Sequence, residues 1–272
     1  HSKDIDNLRI HDNVIGPALS AVSGVGARAT GTRFVYRNLF DLREPIAGYR
    51  PGVGAEVFRF GHLFKGDVGA GPFYFYQNTV LVTDAKAQAI SMLFRAAPKP
   101  GVPIQPRWFL NNVVVVEPAG ANRGVGEGRP LSFVPDDADA GSAVPADDQA
   151  LRSDGNLWVR GQAGKAPAFR CISNRGRCRH KAFADLRSLA SSTGFETHSE
   201  LAESAGFAPG PNHARSGVGA RISPTSKARG RGVRLPTHLP DSRAGDEARP
   251  DAGARPVADP PLFVGRFGRE GY

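Results

Sequence analysis

No apolar run in the 272 residues approaches the roughly 20 that a helix needs to span a bilayer. The longest β-branched run, Val113 to Val116, has the length of a strand. Cysteine is nearly absent: Cys171 and Cys178 stand alone, with Asn174 and Gly176 between them to turn the chain. Two states fit that pair, a local disulfide in an oxidising compartment and two free thiols. A zinc site needs more ligands than His180 adds. Lysine is scarce as well, since 28 of the 35 basic residues are arginine. The net charge of +9 is spread along the chain, densest in the C-terminal third, without an aromatic-basic motif. It therefore reads as a composition bias and not as a nucleic-acid surface. There is no Walker A loop, no His-Glu-x-x-His and no Gly-x-Ser-x-Gly. The glycine pairs at Gly24/Gly26 and Gly52/Gly54, and the run at Gly124, Gly126 and Gly128, lack the strand-to-helix context of a phosphate cradle.

What is abundant points the other way. With 33 Gly, 22 Pro and 40% hydrophobic residues, the chain argues for a turn-rich, strand-rich core and against a helical bundle. Four segments repeat a pattern: Leu8-Arg-Ile-His-Asp-Asn13-Val-Ile15, Arg33-Phe-Val-Tyr-Arg-Asn38-Leu-Phe40, Phe73-Tyr-Phe-Tyr-Gln-Asn78-Thr-Val80 and Arg107-Trp-Phe-Leu-Asn-Asn112-Val-Val114. Aligned on the asparagine, the position three before it is apolar (Ile10, Val35, Phe75, Phe109), and so is the position two after it (Ile15, Phe40, Val80, Val114). The position just before it is polar (Asp12, Arg37, Gln77, Asn111).

Side chains alternate across a strand, so the apolar columns predict a shared interior and the polar column a solvent-facing one. The asparagine falls where one strand bends into the next, a conformation that Asn tolerates. Stacked at the strand spacing, Asn13, Asn38, Asn78 and Asn112 are placed to pass hydrogen bonds from amide to amide, with Asn156 as a fifth rung. The spacing between rungs runs unevenly from 25 to 44 residues, which a solenoid absorbs as loops. Those loops include Ala18 to Gly31, Asp41 to Gly54, Ala96 to Pro106 and the acidic stretch with Asp136, Asp137 and Asp139. Ala182 to Ala190 predicts one short amphipathic helix, with Phe183, Leu186, Leu189 and Ala190 on one face and Gly194 as its stop.

The pattern apolar-x-apolar-x-x-Asn-x-apolar resembles the right-handed parallel β-helix, or pectate-lyase-like, family. Gly71 to Val80 and Trp108 to Val113 are the most similar coils. Asp154-Gly-Asn-Leu-Trp158 and Thr193-Gly-Phe-Glu-Thr-His-Ser199 look like the segment after the last coils in bacterial members. Ser226-Lys-Ala228, Gly232 and Pro250-Asp-Ala-Gly-Ala254 resemble its closing signature, with Lys227 in place of the usual proline. The resemblance implies an all-β right-handed parallel β-helix solenoid with one short helix and an irregular C-terminal extension. It divides the chain into coils over 1–160, a C-terminal capping region with the helix over 161–254, and a disordered tail over 255–272. Few coils are visible and the chain begins at His1, so the expectation is a fragment or processed form without its N-terminal coils.

For function, the resemblance implies an exported or cell-surface, monomeric protein that acts on polysaccharide, with calcium as a candidate cofactor. In such members a cationic base takes the proton beside a uronate carboxylate, and calcium or arginine neutralises that carboxylate. The densest cluster of suitable groups is Phe58 to Asp67, where Arg59, His62 and Lys65 are candidate catalytic residues. His62 supplies an imidazole that titrates near neutrality. Asp67, Arg37, Tyr36 and His11 are candidate substrate-binding residues, Arg37 pairing with Asp12 if the coils stack. Glu196 and His198 are read as loop-fixing. Non-catalytic glycan binding on the same scaffold is the alternative function.

Overall fold

The computed structural model describes residues 7–15, 20–23, 31–41, 62–65, 71–83, 105–117, 131–133, 151–160, 169–171, 182–208, 220–240 and 249–254. Over these the chain is mostly β, with strands numbered in chain order, two large parallel sheets and one helix. The first sheet stacks β1 (Leu8–His11), β4 (Arg33–Tyr36), β7 (Phe73–Tyr76), β9 (Arg107–Leu110) and β12 (Leu151–Asp154), in that order. The second stacks β2 (Val14–Ile15), β5 (Leu39–Asp41), β8 (Thr79–Thr83), β10 (Val113–Glu117), β13 (Leu157–Arg160) and β16 (Glu200–Ala202).

The register is the one the asparagine alignment predicts. Ile10, Val35, Phe75, Phe109 and Ser153 pair across the first sheet. Ile15, Phe40, Val80, Val114, Trp158 and Leu201 pair across the second. The columns from Val35 to Phe109 and from Phe40 to Trp158 are buried. Identical register brings the rings face to face. Phe75 lies 5.2 Å from Phe109 with their planes 3° apart, and Phe109 continues onto Trp158 at 5.8 Å. Each such pair contributes about 0.5–1.5 kcal/mol beyond its buried area.

The bend between the two sheets is made by two residues. The residue before each asparagine is left-handed: Asp12, Arg37, Gln77 and Asn111 have φ of 54°, 57°, 50° and 55°, and Gly155 has 66°. That conformation costs a non-glycine residue roughly 1–2 kcal/mol, so something must hold it. The asparagine does. Asn38 donates from Nδ2 to the carbonyl oxygens of Tyr36 and Ile10, bracing its own rung and the one before. Asn78 does the same with Tyr76 and Val35.

Two smaller sheets complete the strands. One pairs β3 (Ser20–Ser23) with β6 (His62–Lys65) in parallel; the other orders β11 (Leu131–Phe133), β14 (Phe169–Cys171) and β15 (Ala182–Phe183). The β14–β15 pair is antiparallel, a departure from uniform stacking.

Two expectations are corrected. The polar column does not face solvent throughout: Gln77 is buried and Asn111 is fully buried, the latter because the segment around Gly232–Val233 lies over it. Asn111 donates to the Val233 carbonyl and accepts from the Val233 amide, both at 2.8 Å. The helix, α1, begins later than predicted and spans Leu186–Thr193. Asp185 caps it by accepting from the Ser188 amide, which leaves Phe183 upstream on β15. Gly194 ends it with φ 75°. Where the resemblance has a proline, Lys227 sits in a formed turn, with the Arg229 amide donating to the Ser226 carbonyl. Lys227 pairs with Glu200 at 2.8 Å, while Ser226 Oγ bonds the Ala205 carbonyl at 2.5 Å. The tail over 255–272, the acidic stretch at 136–139 and Cys178 lie outside the described residues.

Candidate functional site

The outer face of the first sheet carries two further columns, set by strand alternation. One is His11, Tyr36, Tyr76, Leu110 and Asp154; the other is Arg9, Phe34, Tyr74, Trp108 and Arg152. They are aromatic where a plain solvent face would be polar. His11 stacks on Tyr36 at 4.8 Å and Tyr36 on Tyr76 at 5.2 Å. Phe34 stacks on Tyr74 at 5.3 Å, Tyr74 meets Trp108 edge-on at 4.9 Å, and the Arg152 guanidinium sits 4.9 Å from the Trp108 ring centre.

Most of this face is covered. Leu235 and Leu239 pack on Phe34, Tyr36, Tyr74, Tyr76 and Leu110, with Val233 and Trp108 beside them. His238 adds ring contacts to Tyr74 and Trp108, and the Tyr76 hydroxyl donates to the Pro240 carbonyl. Burial raises the Tyr74 phenol above its ordinary 10.0. The 233–240 segment is thus a strap over the aromatic columns. The sequence signal was present in Phe-Val-Tyr, Tyr-Phe-Tyr and Trp-Phe-Leu, whose outward positions are also apolar.

At the β1 end the face opens. His11 donates from Nδ1 to Asp12 Oδ2 at 2.8 Å, and Arg37 Nε lies 3.0 Å from Asp12 Oδ1. One carboxylate therefore holds an imidazole and a guanidinium together. The His11 side chain is 44% exposed, and Arg9, exposed, shares its face of β1. Tyr36 is only 7% exposed. Its ring supports His11 on one side and meets Tyr76 on the other.

The other candidates are placed differently. His62 and Lys65 lie on β6, opposite Ser20 and Ser23 of β3. Arg59 and Asp67 lie outside the described residues. His198 is exposed and bonds Asp154 at 2.7 Å, the loop-fixing arrangement expected of it.

Glu196 does more than fix a loop. It is buried, with 2% exposure, and its carboxylate terminates the amide row. It accepts from Asn156 Nδ2 at 3.1 Å, from Trp158 Nε1 at 2.8 Å and from Ser153 Oγ. Burial pushes its carboxyl above the ordinary 4.5, against these donors, which pull it down. Beside it an open cavity of about 570 Å³ is lined by residues that include Asp185, Arg187, Ser191, Thr197 and Glu200.

Among the described residues no group of three or more His, Cys, Asp or Glu side chains is placed to hold a metal ion. Among the same residues no helix is long and apolar enough to cross a membrane. In comparison with known proteins no family model matches the chain, and neither does any curated protein or solved structure.

Proposed function

We propose that the chain is a right-handed parallel β-helix solenoid of an exported or cell-surface, carbohydrate-active protein, and that it engages uronate-containing polysaccharide at the β1 end of its outer face. Stacked parallel strands in a constant register, a buried asparagine row and uneven loops all support the solenoid reading. The observation that carries the functional reading is the His11–Asp12–Arg37 cluster. Arg37 and Arg9 supply positive charge for a uronate carboxylate, and charge-assisted contacts of this kind are the strong ones. His11, turned by Asp12 through Nδ1, presents its other ring nitrogen as a base. In β-elimination that base takes the proton at C5 of the uronate, the C4–O bond breaks, and a C4–C5 double bond forms. The departing oxygen takes a proton from water.

The strap favours a second reading, glycan binding without cleavage, because it buries the aromatic columns from Phe34 to Leu110 and leaves a short open end in place of a long groove. One experiment separates the two. The chain is incubated with a uronate polysaccharide panel, with and without calcium, and the ultraviolet absorbance of unsaturated uronates is followed alongside glycan binding. Absorbance lost in His11→Ala and Arg37→Ala supports elimination at this cluster. Absorbance lost instead in Lys65→Ala and Arg59→Ala moves the site to the segment around β6. Binding without absorbance leaves the scaffold, and neither signal sinks the carbohydrate reading.

A further inference from the structure

Beyond the strap, at β12, the two outward columns end on charged residues. Asp154 follows Leu110 and Arg152 follows Trp108, and neither belongs to the cluster that Leu235 and Leu239 cover. Asp154 is a fixed carboxylate. Its Oδ1 accepts from the Gly155 and His198 backbone amides at 2.9 and 2.7 Å. Its Oδ2 accepts from Thr197 Oγ1 at 2.9 Å and from His198 Nδ1 at 2.7 Å. In the neutral ring Nδ1 then carries the proton and Nε2 is an acceptor. The His198 side chain is 65% exposed.

The loop is held without that ring. The Glu196 amide donates to the Ser153 carbonyl, and the Thr197 hydroxyl and His198 amide already tie the segment to Asp154. What the ring bond adds is a direction for Nε2. Arg152 stands two residues from Asp154 on the same face of the same strand, about 6.5 Å along it. Its guanidinium lies 4.9 Å from the Trp108 ring centre, and His238 flanks that ring at 5.7 Å. Among the described residues the Arg152 side chain has neither a carboxylate nor a carbonyl partner. Asp154 does not neutralise it, because both its oxygens are taken by other donors. Trp108 therefore steadies a guanidinium whose five donors remain to be met by an acceptor from outside.

We propose that Arg152 and His198 form a second subsite for an acidic sugar. Arg152 takes the carboxylate, the pairing for which its planar fork is suited, and His198 Nε2 accepts a ring hydroxyl. Asp154 is the positioning residue for the imidazole. The choice of ligand rests on the uronate reading; the place does not. This subsite lies four rungs from the His11–Asp12–Arg37 cluster, about 19 Å at the strand spacing, and the strap runs between them. Both ends share one arrangement, an imidazole turned by an aspartate through Nδ1 with an arginine on the same sheet.

The test uses indole fluorescence, since of the two tryptophans Trp158 is buried and Trp108 is partly exposed against Arg152. The full chain is titrated with trimers of galacturonate, guluronate and mannuronate, with maltotriose and inorganic phosphate as controls, and total binding is followed by calorimetry. The expected result is a saturable fluorescence change with at least one uronate trimer and with neither control. Its midpoint should rise about tenfold in Arg152→Gln and about fivefold in His198→Ala, the loss of a charge-assisted and of a neutral hydrogen bond, with unfolding midpoints unchanged. The two variants sit on separate segments, so perturbation of one leaves the other as the test. Calorimetric binding of a uronate without a fluorescence change overturns this subsite and spares the uronate reading. Neither heat nor fluorescence overturns both. An equal response to phosphate or maltotriose overturns the subsite, as does a uronate response that both variants leave intact.

Discussion

Replacing Asn112 by alanine should cost far more than replacing Asn13, although the two residues hold the same place in their rungs. The difference follows from which partners are left stranded. Asn112 Oδ1 accepts the Asn78 backbone amide at 2.9 Å inside a fully buried site. Without it that amide has no acceptor, which costs about 1–3 kcal/mol. Asn78 Nδ2 loses little, since it keeps the Val35 and Tyr76 carbonyls. Asn156 Oδ1 still accepts the residue 112 backbone amide. The missing amide group also leaves a small void, so the total is about 2–4 kcal/mol. For Asn13→Ala the sum is different. Asn38 Oδ1 keeps the residue 13 backbone amide, and Asn13 Oδ1 accepts from no described residue. Only donated bonds at a half-exposed edge are lost, worth about 0–1 kcal/mol. Denaturant midpoints at constant slope give both numbers, and hydrogen exchange should show the Asn78 amide released in Asn112→Ala alone. Equal losses, within about 0.5 kcal/mol, would refute the claim that the row is a relay of acceptors.

Two further outcomes follow from the same geometry. Because burial raises the Glu196 carboxyl, its stabilising contribution is full below its ordinary 4.5 and falls as pH rises through the raised folded value; unfolding midpoints of the native chain should therefore drop over that window relative to Glu196→Gln, and parallel pH curves would contradict the assignment. Gly155 is left-handed at φ 66°, and a Cβ there would meet the Val233 amide nitrogen at 2.7 Å and the Asn111 side chain. Gly155→Ala should lose at least about 2 kcal/mol and expose the 233–240 strap to protease, and a variant of native stability would show that the strap simply moves aside.

The rungs were legible in the sequence because three columns repeat with a residue type, asparagine, that has a specific reason to recur. Apolar residues alone would not have fixed the register; Asn38 and Asn78 did. The strap was not legible, since Val233 to Leu239 has no period and earns its place only by covering rings more than a hundred residues away. Its shadow was visible in the outward tyrosines. The role of Glu196 was hidden by its alignment. Once Ser199 is placed at the sixth asparagine position, Glu196 falls in the inward column after Phe109 and Ser153, where a carboxylate makes sense only as a terminator. The cluster at His11 was partly foreseen, because stacking brings Asp12 to Arg37. The imidazole contact within one rung was not, since the side-chain direction of Asp12 depends on its left-handed backbone.

The constant register from rung to rung, set against gaps of 25, 40, 34 and 44 residues, has a bearing on how such a chain tolerates change. Each asparagine works as an alignment mark: a strand that slipped by one residue would turn its amide away from the row and its apolar column outward. Errors in length made within a loop are therefore cancelled at the next mark and never carried forward. Insertions and deletions between rungs become locally neutral, so the loops can be rewritten one at a time while the interior is copied unaltered.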